Sequence, residues 1–307
     1  GASVEVYVSS GSVSAVIQGG SIQSVQDGGL PLILDASNSY DEDHESSIAP
    51  LSFSWSCIKT APSYSTDCGV SIVDGVWNAA VLVVTTAGAI TTSSITVTVT
   101  SGDGARISDA SVTVSTISAA APVVSISTVV VGKVNARNRF QLSGALHAGL
   151  SGYRVWSVND SSIDLMSSSL TAVNKSFVKS ASVQNVTVPS FLSLPQHVLP
   201  SRSTLLFTLT GVLTSGVSST SAIRVEVNAP PLPGDFLVFP GSGQSMNTSF
   251  MFTAMLWQDD DVPLSYEFSF NSGTSAGDMV VKARSESSFG SSTLPEGSED
   301  NGKMLVC

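Results

Sequence analysis

The sequence predicts an all-β chain built of tandem β-sandwiches. Apolar and polar residues alternate with period two in one segment after another, clusters of Gly, Asn, Asp and Ser separate those segments, and one aromatic strand pattern occurs three times. Alternation at that period puts apolar side chains on one face of an extended segment and polar ones on the other. That suits a sheet with one face on a core. Apolar spacing of the helical kind is almost absent.

In chain order, Ser3-Val4-Glu5-Val6-Tyr7-Val8 is the first alternating run. Ser94-Ile95-Thr96-Val97-Thr98-Val99-Thr100 is cleaner, and Ser111-Val112-Thr113-Val114 follows it across the turn residues Ser101-Gly102-Asp103-Gly104. Leu205-Leu206-Phe207-Thr208-Leu209-Thr210 and Ile223-Arg224-Val225-Glu226-Val227 repeat the theme. The aromatic pattern is Pro50-Leu51-Ser52-Phe53-Ser54-Trp55-Ser56-Cys57, then Gly152-Tyr153-Arg154-Val155-Trp156-Ser157-Val158, then Pro263-Leu264-Ser265-Tyr266-Glu267-Phe268-Ser269-Phe270. A large aromatic on a central strand is the usual core plug of an immunoglobulin-like sandwich.

Two joints, Ala119-Ala120-Ala121-Pro122 and Ala229-Pro230-Pro231-Leu232-Pro233, follow the first two units and favour extended, semi-rigid spacing. The expected domains are residues 1–121, 122–229 and 230–307. The third is short for a sandwich of about 100 residues. After Val280-Val281-Lys282-Ala283 it shows no closing strand like residues 223–227. It is therefore expected to be incomplete, either continuing or completed by a strand from another chain.

The 307 residues carry 13 Lys+Arg against 24 Asp+Glu, a formal net charge of −11. That balance argues against a nucleic-acid partner, because phosphate recognition needs clustered Lys and Arg. Only 12% of residues are charged, against roughly 25% in a typical domain. No apolar run approaches the ~18–20 residues that a membrane helix needs. The chain opens at Gly1 without a leader pattern and reads as a processed or excised product.

Three cysteines are present. Cys57 and Cys68 are spaced to bridge across a short loop, the alternative being reduced, buried thiols; Cys307 is left unpaired or bonded to another chain. Two acidic clusters, Asp35 with Asp41, Glu42 and Asp43, and Asp259 with Asp260 and Asp261, are candidate Ca²⁺ ligands, since this ion takes about six to eight oxygens. The competing reading is a solvated acidic turn whose side chains cap backbone amides. Asn159, Asn174, Asn185 and Asn247 each open an Asn-x-Ser/Thr sequon, and attached glycans would hydrate a thinly charged surface. His44, His147 and His197 are far apart, and no nucleophile elbow, dinucleotide fingerprint or phosphate loop is present. No catalytic residue is assigned and no cofactor is required.

Leu34-Asp35-Ala36-Ser37-Asn38-Ser39-Tyr40-Asp41-Glu42-Asp43, with the first aromatic segment after it, resembles the opening of REJ (receptor for egg jelly) regions and related PKD-type repeats. Asn228-Ala229-Pro230-Pro231-Leu232-Pro233-Gly234, Val238-Phe239-Pro240-Gly241-Ser242-Gly243 and Leu256-Trp257-Gln258-Asp259-Asp260-Asp261-Val262-Pro263 are similar to their later segment. The PKD-type Trp-Asp-Phe-Gly-Asp-Gly is absent. The resemblance implies tandem immunoglobulin- or fibronectin-III-like sandwiches in large extracellular regions, including those of polycystin-like proteins, and no catalytic residues.

The expected function is that of a non-enzymatic extracellular or cell-surface structural and adhesive protein. It is expected to be glycosylated and to form part of a filament or surface appendage, with copies of itself or neighbouring extracellular proteins as partners. The alternative is a ligand-binding or force-bearing ectodomain fragment of a polycystin-like receptor. A glycan-binding module acting through Trp77 or Trp257 is a third class, although core or interface packing suits both residues better.

Overall fold

The computed structural model describes residues 10–43, 50–73, 75–130, 132–271, 278–299 and 302–306. The expected strand at residues 3–8, His44 and Cys307 lie outside them. The chain divides into two compact units, Gly1–Asn228 and Ala229–Cys307.

The first part of the larger unit contains β1 (Val13–Ser14), β2 (Ile22–Gln26), β3 (Leu32–Asp35), β4 (Tyr40–Asp41), β5 (Ser52–Ala61), β6 (Val70–Ile72), β7 (Val81–Thr86), β8 (Thr92–Thr100) and β9 (Ile107–Ile117). β5, β8 and β9 form an antiparallel meander, and β3, β7 and β6 form the opposing sheet. The run of residues 94–100 lies in β8, where every second residue is buried. Ile95, Val97 and Val99 face Leu34, Leu82 and Val84 of the opposing sheet in one core, with Trp55 of β5 among them. Burying such a side chain stabilises by about 1.5–3 kcal/mol. Trp55 also satisfies its indole N–H, which donates to the Ala79 carbonyl at 2.7 Å. The aromatic that the sequence marks as a plug is one.

The second part contains β10 (Val123–Ile126), β11 (Val134–Asn135), β12 (Phe140–Ala148), β13 (Gly152–Val158), α1 (Leu165–Ser168), β14 (Asn174–Phe177), β15 (Val186–Leu194), β16 (Thr204–Leu213) and β17 (Ser218–Asn228). A β10-β12-β15 sheet packs on β14-β13-β16-β17 around Trp156, Phe207, Leu146 and Leu192. Gly211 is required here, because a Cβ would lie 1.8 Å from a Leu146 methyl. The single described helix is one turn long and starts at Asp164, whose carboxylate accepts from Met166 N–H at 3.0 Å. Hydrogen bonds from Ser167 and Met166 hold that carboxyl below its usual range.

The smaller unit contains β18 (Asp235–Phe239), β19 (Ser249–Met255), β20 (Tyr266–Phe270), β21 (Met279–Ser285) and β22 (Phe289–Thr293). A three-stranded β18-β19-β22 sheet faces the β20-β21 pair across Phe252, Ala254, Phe268, Phe270 and Leu294. Its core is smaller than either of the other two, as expected for a unit with fewer strands. Apart from one helical turn, the described residues are all-β, in sandwiches of immunoglobulin and fibronectin-III type.

Candidate functional site

The two sandwiches of the larger unit share a strand. β2 lies parallel to β9, pairing Ile22 to Gln26 with Thr113 to Ile117, and its other edge meets β17 antiparallel at Ala222–Ile22. One sheet therefore runs unbroken through both sandwiches, in the order β14-β13-β16-β17-β2-β9-β8-β5. Side chains close this seam. Ser221 Oγ donates to the Ile22 carbonyl at 3.1 Å and Ser24 Oγ to the Thr220 carbonyl at 3.3 Å. Ser21 N–H donates to the Ala222 carbonyl at 2.8 Å. Gly20, at φ +94°, lets the chains approach: a Cβ there would sit 2.3 Å from Ala222 O.

The segment that reads as a linker is pinned to the same seam. Gln26 Nε2 donates to the carbonyls of Ala119 at 2.9 Å and Ala121 at 2.8 Å, and Ser219 Oγ donates to the Pro122 carbonyl. Ala121 is buried. A cleft of about 590 Å³ opens beside the seam, lined by Val16, Ile22, Thr113, Thr128, Ile223 and Arg224 among others. The arrangement can hold two modules rigidly against each other. Sequence reasoning missed it, and its one local signal is Gly19-Gly20 immediately before a short strand.

Cys57 and Cys68 form a disulfide across a separation of 11 residues. The first acidic cluster is organised around a cation. Arg106 donates from Nη1 to Asp41 Oδ1 at 2.6 Å, from Nη2 to Asp41 Oδ2 at 2.8 Å, and from Nη1 to Asp43 Oδ2 at 3.1 Å. It also reaches the Gly11 carbonyl at 3.1 Å, which ties the segment before β1 to the β8–β9 turn. The hydrogen bond to Asp41 raises the guanidinium pKa further, and the Ser101 hydroxyl lowers that of Asp103 beside it. Glu42 accepts from Ser12 N–H at 2.7 Å. Asp35 lies apart from this pair and accepts from Ser37 N–H at 2.8 Å and Gln18 Nε2 at 2.9 Å. In the second cluster, Asp259 accepts from Asp261 N–H at 3.0 Å, and Asp260 is its exposed neighbour. Among the described residues no group of three or more His, Cys, Asp or Glu is placed to hold a metal ion.

Asn159, Asn174, Asn185 and Asn247 are all exposed. Asn159 Oδ1 accepts from Leu206 N–H at 2.8 Å, and Asn247 Nδ2 donates to Gln244 Oε1 at 3.0 Å. His147 lies in β12 and His197 in the turn after β15, and His147 Nδ1 is 3.0 Å from Thr187 Oγ1. Trp77 is partly exposed, with its carbonyl accepting from Trp55 N–H at 2.8 Å, and Trp257 packs against the core of the smaller unit. Arg154 is the unexpected residue. It is buried on the core side of β13 next to Trp156, its Nη1 donates to the Ala172 carbonyl at 3.3 Å, and its Nε has no partner among the described residues. Burial pulls its guanidinium below its usual range.

A sequence model of the family described as the REJ domain matches residues 2–306. No curated protein matches the chain. Among solved structures, the Ig1-2 module of Drosophila receptor protein tyrosine phosphatase DLAR is 11% identical, with a TM-score of 0.24 over 71% of this chain and 100% of that one. The fibronectin(III)-like modules of Clostridium thermocellum CbhA are 9% identical, with a TM-score of 0.24 over 70% and 94%. A bacterial ice-binding adhesin is 13% identical, with a TM-score of 0.28 over 92% and 86%. These likenesses are too low to carry a functional inference.

Proposed function

We propose a function from one premise: this chain belongs to the REJ domain family. The REJ domain is an extracellular type, its sandwiches are of a kind that is typically non-catalytic, and no helix among the described residues is long and apolar enough to cross a membrane. An adhesive or receptor-type ectodomain is the class that follows. Within that class we read the chain as a non-enzymatic, load-bearing spacer at the cell surface, with neighbouring extracellular proteins as partners and glycans on the exposed Asn159, Asn174, Asn185 and Asn247.

The seam carries this reading. A flexible linker lets tandem modules swing, whereas a strand shared by two sandwiches must be unzipped before they can separate. A second reading, a filament subunit, draws support from uncovered apolar side chains in the smaller unit: Phe239 is 77% exposed and Phe289 62%. Negative-stain imaging of the full chain tests both. Scattered short particles whose two larger lobes keep one fixed angle support the spacer, regular fibres support the filament, and lobes at variable angles refute the spacer.

A further inference from the structure

The cleft beside the seam has a volume of about 590 Å³, within the range of small-molecule sites. Its walls come from both sandwiches of the larger unit. Val16 and Ile17 stand on the first, and Val129, Val130 and Leu206 on the second. All five are half-buried. Ile17 and Val130 also touch the two cores, whereas Val16, Val129 and Leu206 pack into neither. Three branched aliphatic side chains thus line one cavity without serving a core.

Four hydroxyl residues join them, and three are already engaged. Ser111 Oγ is 2.7 Å from Thr96 Oγ1, Thr128 Oγ1 accepts from Ser143 N–H at 2.7 Å, and Ser21 Oγ donates to the Ala222 carbonyl at 3.4 Å. Arg224 is the one charged residue in the lining. It stands directly opposite Leu206 across the β16–β17 pair and is exposed between the buried Ile223 and Val225. Among the described residues it makes no ion pair. Residues 122–229 carry eight Lys and Arg against three Asp and Glu, so the local charge opposes the −11 of the whole chain. Of those three acids, Asp160 and Asp164 cap their own turns and Glu226 lies outside the lining.

The geometry points to a binding site for a free carboxylic acid carried on an aliphatic chain. The guanidinium fork of Arg224 takes both carboxylate oxygens. The chain lies between Val16, Val129 and Leu206, where its apolar surface leaves water. A sugar would bring hydroxyls to a lining whose own hydroxyls are mostly engaged. A polypeptide C-terminus would bring an amide N–H and C=O that need partners there, and unmet polar groups cost binding energy. An aliphatic acid brings one polar group, and the cleft has one cation for it. The occupant touches both sandwiches and so favours the closed seam. This inference goes beyond the spacer reading and depends only on the seam.

The test is an amide NMR titration of the full chain with octanoate. The signals of Ser21, Thr113 and Val129 should shift together and saturate. Arg224→Gln should weaken binding about tenfold or more, the loss expected for a hydrogen bond to a charged group, and Arg224→Lys should restore part of it. Arg224 is exposed, so both variants should keep the native spectrum outside the cleft. Octanol, which lacks the charge, and acetate, which lacks the chain, should each bind at least about tenfold more weakly than octanoate. No saturable shift at millimolar octanoate overturns the inference, and so does undiminished binding by Arg224→Gln or of octanol. Tighter binding of acetyl-Ala-Val-Leu with a free C-terminus also overturns it, by making a protein terminus the occupant. Each failure leaves the spacer reading standing, because imaging of the two larger lobes tests that separately.

Discussion

Replacing Gly20 by Ala should uncouple the two sandwiches of the larger unit. Two costs combine. At φ +94° an L-residue occupies backbone space that only glycine enters freely, a strain of about 1–3 kcal/mol. The new Cβ would also lie 2.3 Å from Ala222 O. Ordinary contact needs roughly 1 Å more, and that retreat breaks the bond from Ser21 N–H and weakens the one from Ser221 Oγ, at about 1 kcal/mol each. The total is about 3–5 kcal/mol, concentrated at the seam. Gly28→Ala is the control: its φ is +66° and nothing lies within 4 Å of the added Cβ, so it bears the backbone strain alone. Denaturant unfolding would be followed through Trp55 and Trp156, one in each sandwich core, in a Trp77→Phe, Trp257→Phe background. The parent should show one shared transition, and Gly20→Ala two separated midpoints. A variant that unfolds like Gly28→Ala, with both signals coincident, would refute the seam as a mechanical coupling.

Two further outcomes follow. Reducing the Cys57–Cys68 bridge, or replacing both residues with Ala, should lower the stability of the larger unit by about 2.8 kcal/mol, the loop-closure value for the 11-residue separation; a denaturation midpoint that is insensitive to reductant would count against it. Arg154→Met should raise the thermal midpoint, because a buried guanidinium whose Nε lacks a partner is exchanged for an apolar chain of similar length. A lowered midpoint would mean that the cation contributes more through its Ala172 contact than burial costs it.

Period-two alternation made the strands legible because a sheet with one wet face imposes it directly. Residues 94–100, 111–114, 205–210 and 223–227 all lie in strands, as expected. Trp55 of β5, Trp156 of β13 and Phe268 and Phe270 of β20 lie in cores for the same reason, whereas Tyr153, three residues before Trp156 and so on the opposite face, is exposed. The paired cysteines were legible from their spacing. What alternation does not encode is which strand lies next to which. β2 pairs with β9 some ninety residues later through the backbone and with β17 some two hundred residues later with the help of serine hydroxyls on backbone carbonyls, and any Ser-rich strand presents the same hydroxyls.

The acidic clusters show the same gap between composition and geometry. Asp41 and Asp43 read as a cation site from spacing alone, yet the cation they face is Arg106, from the far end of the β8–β9 turn. Asp35, close to them in sequence, faces Gln18 and its own turn. Adjacent carboxylates in an extended segment point to opposite sides, so their nearness in the chain decides little about which oxygens converge. Long-range pairing decides it, and that is also the property on which the seam depends. The load-bearing role proposed above rests on contacts between distant residues: a pull that separates the sandwiches must strip β2 from β9 or from Ala222, whereas the residues joining them in sequence, 119–122, are held by Gln26 and Ser219 and carry tension only after those bonds open.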